Sequence, residues 1–450
     1  MDKSTLSPTA TSSLEKWLSY LENSHFKAID LGLERVQSVA QQLDLLTPAP
    51  FVITVGGTNG KGTTCRLLEV LLLNAGYRVG VYSSPHLLRY NERVRIQSQM
   101  LPDSAHCESF AFIDAHKSAS LTYFEFSTLS ALHLFKQAKL DVVILEVGLG
   151  GRLDATNIID SDIAVITGID IDHTEFLGNT REQIGFEKAG IFRANKPVVI
   201  GDPQIPDSML QQANKLHCHI ARHDIEWQYQ SEDTYWTWQG DKQEQKVRLE
   251  NLPFPRIPLA NAATALAVVQ YLPFDISYQV IVQSLQQVEL DGRFQFIAPE
   301  KLTALAISLG KPSETLAKMV IDVGHNPQAA RYLAEKLTAL RPQIQGKIIA
   351  VCGILKDKDA QGVLSPLLSL VDYWYCATLE GSRGQSGEAL LYCLQQVAQM
   401  HSQSVSAEAQ PSVVEAVKSA VKNSEKSDLI LVFGSFYTVA GLLECIAIHN

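Results

Sequence analysis

The apolar residues of this chain gather in short unbroken runs, and stretches of helical period separate one run from the next. "FVITV" (51–55) precedes a helix expected over 63–75, which leads to "RVGVYSS" (78–84). A helix over about 125–138 leads to "DVVILEV" (141–147), and "DIAVITGI" (162–169), a helix over 180–190 and "PVVIG" (197–201) continue the series. Strands that are apolar throughout and alternate with helices predict parallel βαβ units, because crossover helices cover both faces of such a sheet.

The pattern then changes twice. Residues 224–250 alternate aromatic with polar positions, which predicts a hairpin. Beyond the Pro-rich loop "LPFPRIP" (252–258), helices are expected over "NAATALAVVQYL" (261–272), with Asn261 near its cap, and over 277–288. From residue 293 a new α/β series begins, with strands at 319–323, 346–354, 372–378 and 428–435 and helices near 327–340, 386–400 and 411–422. A second, smaller doubly wound domain of about 150 residues fits it.

A length of 450 residues agrees with two domains, and 46% hydrophobic against 19% charged residues is enough to fill two cores. No apolar tract approaches the roughly 18 residues of a membrane span. The polar start "MDKSTLSPTATSSLEKW" lacks the apolar core of a secretory signal, so a cytoplasmic protein is expected. Seven cysteines without C-x-x-C pairing fit reduced thiols, and neither a disulfide framework nor a zinc site is expected. The formal charge is −10 with dispersed Lys and Arg, which excludes an evident nucleic-acid footprint.

Candidate chemistry begins at "GGTNGKGTT" (56–64), between a strand and a helix. Turn amides and a helix N-terminus converge there on one point, glycines allow close backbone approach, and Lys61 adds charge, as a phosphate-binding loop requires. The residue after Lys61 is Gly62, where the usual pattern has the Ser or Thr that holds Mg²⁺. The metal must therefore be gathered elsewhere. Ligands of open α/β sheets collect at the carboxyl ends of strands, and three such ends carry suitable groups, Ser84, Glu146 and His173. Each has a plainer reading: Ser84 as a turn former before Pro85, Glu146 as an ion-pair partner of Arg152, His173 as a polar loop residue. A second glycine-rich stretch, "VGLGGRLDATN" (147–157), follows a strand but has no lysine, and is read either as a flexible turn or as a substrate contact through Arg152 and Asp154.

With these residues in view the chain closely resembles the bifunctional dihydrofolate synthase/folylpolyglutamate synthase family, relatives of the Mur peptide ligases. The resemblance is carried in family order by "GGTNGKGTT" (56–64), "YSSPHLLRYNERVRI" (82–96), "LTYFEFSTLSAL" (121–132), "LEVGLGGRLDATN" (145–157), "DHTEFLG" (172–178), "EKAGIFR" (187–193), "DGRFQ" (291–295) and "IDVGHNP" (321–327). It implies an α/β fold with a larger N-terminal P-loop ATPase domain on a mainly parallel sheet (1–297), a linker region (298–318) and a smaller C-terminal Rossmann-like α/β domain for glutamate ligation (319–450). One departure is Gly57, where relatives often have Ala; the other is the long stretch 298–318.

The implied activity is ATP-dependent addition of L-glutamate to dihydropteroate, giving dihydrofolate, and of further glutamates to a reduced folate. By the same resemblance ATP is bound by Thr58, Asn59, Gly60, Lys61, Gly62, Thr63, Asn261, Arg293 and Asp322, and His325 helps orient nucleotide or glutamate. Catalysis falls to Lys61, Glu146, His173 and His325. Two Mg²⁺ ions are implied, with Ser84, Glu146 and His173 as ligands, and with Lys188 matching a family lysine carbamylated by CO₂ into an anionic oxygen donor. Dihydropteroate is matched to Asp30, Leu31, Gly32 and Leu33, to Thr122, Tyr123, Phe124 and Glu125, and to Leu153, Asp154 and Ala155. The implied partners are small molecules alone, with no nucleic acid or membrane, and a monomer is expected. The alternatives are polyglutamylation only, a Mur-type ligase for a cell-wall precursor, which usually carries an extra N-terminal domain, and a regulatory ATPase.

Overall fold

Val142 and Ile144 lie in one hydrophobic core and Val143 and Leu145 in another, so a single strand is buried on both faces, as its unbroken apolar run requires. The computed structural model describes residues 7–27, 29–242 and 245–449. The chain divides into two units, Met1–Glu289 and Leu290–Asn450.

The sheet of the first unit has eight strands: β1 (Phe51–Gly56), β2 (Val79–Tyr82), β3 (Val94–Ile96), β4 (Gln99–Met100), β5 (Val142–Glu146), β6 (Ile163–Ile166), β7 (Pro197–Ile200) and β8 (His219–Arg222). Their order across the sheet is β4-β3-β2-β5-β1-β6-β7-β8. The six strands from β2 to β8 in that order are parallel, while β3 and β4 turn back antiparallel at one edge. Helices Lys61–Asn74, Leu259–Val269 and Tyr278–Gln287 fill the core on one face with Leu68, Leu71, Leu266 and Leu285. Helices Leu14–Glu22, Glu34–Gln42, Asp103–His116 and Tyr123–Ala138 close the other with Trp17, Val39, Phe110 and Phe126.

The segment expected as a hairpin is a three-stranded antiparallel sheet, β9 (Trp227–Ser231), β10 (Trp236–Lys242) and β11 (Gln245–Leu252), in the order β11-β10-β9. Residues 243 and 244 lie outside the described part. Trp227, Trp236 and Trp238 are buried in the first core, each with its indole N–H on a carbonyl: Ala221, Pro253 and Ala263 at 3.2, 2.9 and 3.1 Å. The third strand, β11, adds Leu252 to the same core and packs Val247 and Leu249 against it.

The second unit carries a six-stranded sheet of β12 (Gln295–Ile297), β13 (Lys318–Asp322), β14 (Ile348–Cys352), β15 (Tyr373–Ala377), β16 (Ala407–Gln410) and β17 (Leu429–Phe433). Its order is β12-β13-β17-β14-β15-β16, parallel except for the edge strand β12. The stretch 298–318 holds a helix, Pro299–Ser308, whose Leu302, Leu305 and Ala306 are buried, so it is packed structure rather than open chain.

Candidate active site

The phosphate loop hangs between β1 and the helix Lys61–Asn74. Gly60 occupies the N-cap with φ +89°, and having no side chain it leaves the first-turn N–H groups to an external acceptor. A Cβ on Gly60 would collide with the Asn261 side chain. Asn261 donates its amide to the Thr63 hydroxyl at 2.7 Å, and that hydroxyl donates to the Gly60 carbonyl at 3.0 Å. The opposite side of the loop is tied to the chain after β6: the Thr58 N–H donates to the Gly168 carbonyl at 2.6 Å, the Thr58 hydroxyl to the Asp170 carbonyl at 3.0 Å, and the Thr167 hydroxyl to the Asn59 carbonyl at 2.6 Å. Lys61 Nζ bends back onto the carbonyls of Gly57 and Thr58 at 3.0 and 3.2 Å. Gly57 has φ +145° and a Cβ there would overlap Thr167, whereas one on Gly56 would meet nothing nearer than 3.3 Å. An alanine at the first glycine asks Ile166 and Ile191 to give by a few tenths of an ångström, whereas at the second it would overlap Thr167 outright.

Strand order explains how the remaining groups reach this loop. β2, β5, β1 and β6 are consecutive parallel neighbours, so their carboxyl ends open on one edge. There the Ser84 N–H donates to Glu146 Oε2 at 3.3 Å, and Glu146 stands beside Val55 in register. Glu146 is buried. Arg152 pairs instead with Glu187 at 2.9 Å, which removes the plainer reading of Glu146 as its partner. His173 lies beyond β6, exposed, in a left-handed conformation (φ 50°) ahead of the short helix Thr174–Leu177. Among the described residues no three His, Cys, Asp or Glu side chains form a ready cage. One hydroxyl, one carboxylate and one imidazole do not make such a cage, but they suit an Mg²⁺ that draws its other ligands from phosphate and water.

Lys188, on the helix Arg181–Ala189, is buried and has its pKa lowered to about 7, first by burial and then by the positive charge of Lys61. The carboxylates of Asp172 and Asp154 oppose that shift. An ammonium in such a place sheds its proton near neutrality, and a neutral amine is the form that reacts with CO₂.

Two of the segments matched to the pterin substrate, 30–33 and 122–125, are joined by Arg35, which pairs with Asp30 at 2.7 Å and with Glu125 at 3.0 Å. Lys27 and then His25, hydrogen-bonded to Asp30, hold its carboxyl below the usual range. Thr122 and Glu125 form a capping box at the start of the helix Tyr123–Ala138, so both have work to do in the fold as well. Phe124 packs where a Cβ on Gly148 would meet it at 2.6 Å, and its ring lies 6.0 Å from that of Tyr82. Asp154 accepts the N–H groups of Gly148, Leu149 and Thr156 at 3.0, 2.8 and 3.0 Å, and so closes the glycine stretch after β5. Burial raises its pKa against those bonds. Leu31 is exposed beside Gly32, Leu33 is partly buried against the core, and Ala155 is buried next to the intermediate Leu153.

In the second unit Asp322 ends β13 and accepts the N–H groups of Phe294 and Gly324 at 2.9 and 2.6 Å. Burial raises its pKa, and the nearby Arg293 pulls it down. The Arg293 guanidinium lies 5.3 Å from the Phe436 ring centroid, and His325 lies 6.3 Å from the same ring while donating Nδ1–H to the Val323 carbonyl at 2.9 Å. These three residues therefore form one cluster.

Several supporting residues give no sequence signal of their own. Thr167 and Asp170 hold the loop from a strand that arrives over a hundred residues later. Fully buried Glu69 pairs with Arg66 at 2.8 Å and Arg95 at 3.0 Å, and Arg95 donates to the Ser83 hydroxyl at 3.1 Å, directly beside Ser84. A carboxylate inside the leucine-rich run of the helix Lys61–Asn74 is the sequence clue to Glu69.

Comparison with known proteins bears on this arrangement. Residues 55–269 match the Mur ligase middle domain and residues 310–436 the Mur ligase glutamate ligase domain. The chain is 66% identical over 431 residues to a dihydrofolate synthase/folylpolyglutamate synthase of Haemophilus influenzae, covering 96% of this chain and 97% of that one. It is 50% identical over 440 residues to the protein of the same name from Escherichia coli, covering 98% and 97%. Among solved structures, E. coli FolC in complex with DHPP and ADP superimposes with a TM-score of 0.89 at 49% identity, covering 98% and 99%. A bifunctional folylpolyglutamate synthase/dihydrofolate synthase with Mn, AMPPNP and L-glutamate bound gives 0.86 at 50% identity, covering 99% and 100%.

Proposed function

Since the chain belongs to the dihydrofolate synthase/folylpolyglutamate synthase family of Mur-type ligases, we propose that it joins L-glutamate to dihydropteroate and then to reduced folates at the expense of ATP. The observation that carries this is the convergence, at the ends of four adjacent parallel strands, of a lysine-bearing phosphate loop with the Ser84–Glu146 pair. A carboxylate resists amines because its charge is delocalised and oxide is a poor leaving group. Transfer of the γ-phosphoryl group of ATP makes an acyl phosphate, and the α-amine of glutamate displaces phosphate through a tetrahedral intermediate. Such transfer depends on positioning and on neutralising charge spread over the phosphoryl oxygens.

In this reading Thr58 to Thr63 cradle the phosphates through backbone amides, and Lys61 swings from its own loop carbonyls to the terminal phosphate. Asn261 fixes the loop. Ser84, Glu146 and His173 hold one Mg²⁺, and Lys188, as a carbamate, contributes to a second; when bound, the ions neutralise phosphate charge. Arg293 and Asp322 serve the nucleotide, and His325 orients nucleotide or glutamate. The segments 30–33, 122–125 and 153–155 receive the pterin substrate, and the junction of the first two through Arg35 supports that role. A cytoplasmic monomer completes the proposal, and the seven cysteines, all free thiols, suit a reducing compartment. No helix among the described residues is long and apolar enough to cross a membrane.

The test is ADP release by the purified protein with ATP, glutamate and either dihydropteroate or tetrahydrofolate. Glutamate-dependent ADP with both acceptors is expected. Activity with tetrahydrofolate alone would leave only polyglutamylation, and release independent of glutamate would favour a regulatory ATPase.

A further inference from the structure

Arg93 closes the 3-10 turn Tyr90–Arg93 after β2 and is nine-tenths buried. A cation in that position ordinarily has an anionic partner, because removing it from water is costly. Among the described residues no carboxylate pairs with Arg93; its guanidinium donates Nε–H to Nδ1 of His86 at 2.8 Å. An accepting Nδ1 makes His86 a neutral imidazole, so it offers the guanidinium no counter-charge. The adjacent acid is occupied elsewhere, since Glu92 accepts the N–H groups of Leu87, Leu88 and Arg89 at 2.6, 2.8 and 2.7 Å.

The rest of the guanidinium surroundings are aromatic. It lies 5.8 Å from the Tyr90 ring centroid and 5.4 Å from that of Tyr123, so the side chain is clamped while both Nη groups remain available. Two neighbours say where the residue sits. Tyr123 belongs to the segment 122–125 assigned to the pterin substrate, and the Arg93 carbonyl accepts the Ser83 N–H at 2.9 Å, one residue from Ser84 of the metal seat. The unmatched charge thus stands where substrate and phosphate loop should meet.

We propose that Arg93 is a substrate-binding residue whose Nη groups take, bidentately, the carboxylate that is to be phosphorylated, with His86 holding the guanidinium in plane. This rests on the ligase reading above. A planar fork suits a carboxylate, and a pre-clamped side chain gives up little rotamer entropy on binding. The plainer alternative is a cation that only stacks between two tyrosines to close the turn.

The two are separated by equilibrium binding, without turnover, of dihydropteroate and of its decarboxylated analogue, which ends in an unsubstituted anilino ring. Arg93→Gln should raise the Kd of dihydropteroate by about tenfold to a hundredfold, the usual size of a lost charge-assisted hydrogen bond. The Kd of the analogue should change by less than about threefold and that of ATP not at all, while Arg93→Lys should recover part of the loss. Wild-type protein should itself prefer dihydropteroate over the analogue, which tests the idea even if Arg93→Gln folds poorly. Equal losses for both ligands, or no wild-type preference, would overturn the proposal. Wild-type protein that binds neither ligand and releases no glutamate-dependent ADP would instead remove the ligase reading, and the proposal with it.

Discussion

The side-chain amide of Asn261 reaches the Thr63 hydroxyl at 2.7 Å, joining a helix that begins at Leu259 to the phosphate loop almost two hundred residues earlier. Thr63 is thereby directed at the Gly60 carbonyl and the loop keeps its left-handed turn. Asn261→Ala should loosen that turn and raise the KM for ATP by about tenfold, the scale of one or two lost hydrogen bonds, with a smaller change in kcat. Initial rates against ATP concentration provide the check, and an unchanged KM would show that the loop holds itself.

Among the described residues Lys61 is tethered only to carbonyls of its own loop, at 3.0 and 3.2 Å, so its removal should leave the fold standing. Lys61→Ala should retain the wild-type circular dichroism spectrum while kcat falls on the order of 10² to 10³, as for the loss of one group that meets charge in the transition state. Near-normal turnover would take Lys61 out of the chemistry.

Glu146→Gln keeps an acceptor for the Ser84 N–H but removes the charge, which separates metal binding from strand-end geometry. The Mg²⁺ concentration for half-maximal rate should rise by about tenfold or more, with melting temperature nearly unchanged. A normal Mg²⁺ titration with a collapsed melting temperature would make Glu146 a structural residue.

Lys188 carries a pH signature of definite sign. Its folded pKa of about 7 lies beneath the ordinary 10.5, so between those values the unfolded chain binds the extra proton. Stability therefore rises with pH across that window, and the penalty is fully present below about 7. In buffer free of bicarbonate and metal, Lys188→Met should melt higher than wild type near pH 7, with the gap closing towards pH 10. Parallel melting curves would mean that the amine is not held neutral. With ¹³C-bicarbonate, a carbamate resonance should appear in wild type and be missing from the variant.

How much of this was legible in the sequence depended on how local the cause was. β1, β5, β6 and β17 are apolar on both faces, and each announces itself as an unbroken run. The edge strands β4 and β16 have no fully buried residue, and so present no such run. The tryptophans of 227–238 signalled strands, but their number followed from the core they cover. The phosphate loop was visible because its glycines and lysine are contiguous, and Ser84 and Glu146 stood out as polar residues at strand ends, where the fold brings them into contact. The burial of Lys188 and the isolation of Arg93 were not readable, since both depend on which groups the fold leaves out of reach.

The acyl phosphate at the centre of this reading can be followed atom by atom. Dihydropteroate labelled with ¹⁸O in both carboxylate oxygens is incubated with the protein, ATP and glutamate, and the inorganic phosphate is analysed by mass spectrometry. One ¹⁸O should enter phosphate for each amide formed, because the bridging oxygen of the acyl phosphate leaves with phosphorus. Phosphate free of label, with amide still produced, would contradict activation of the carboxylate by phosphoryl transfer.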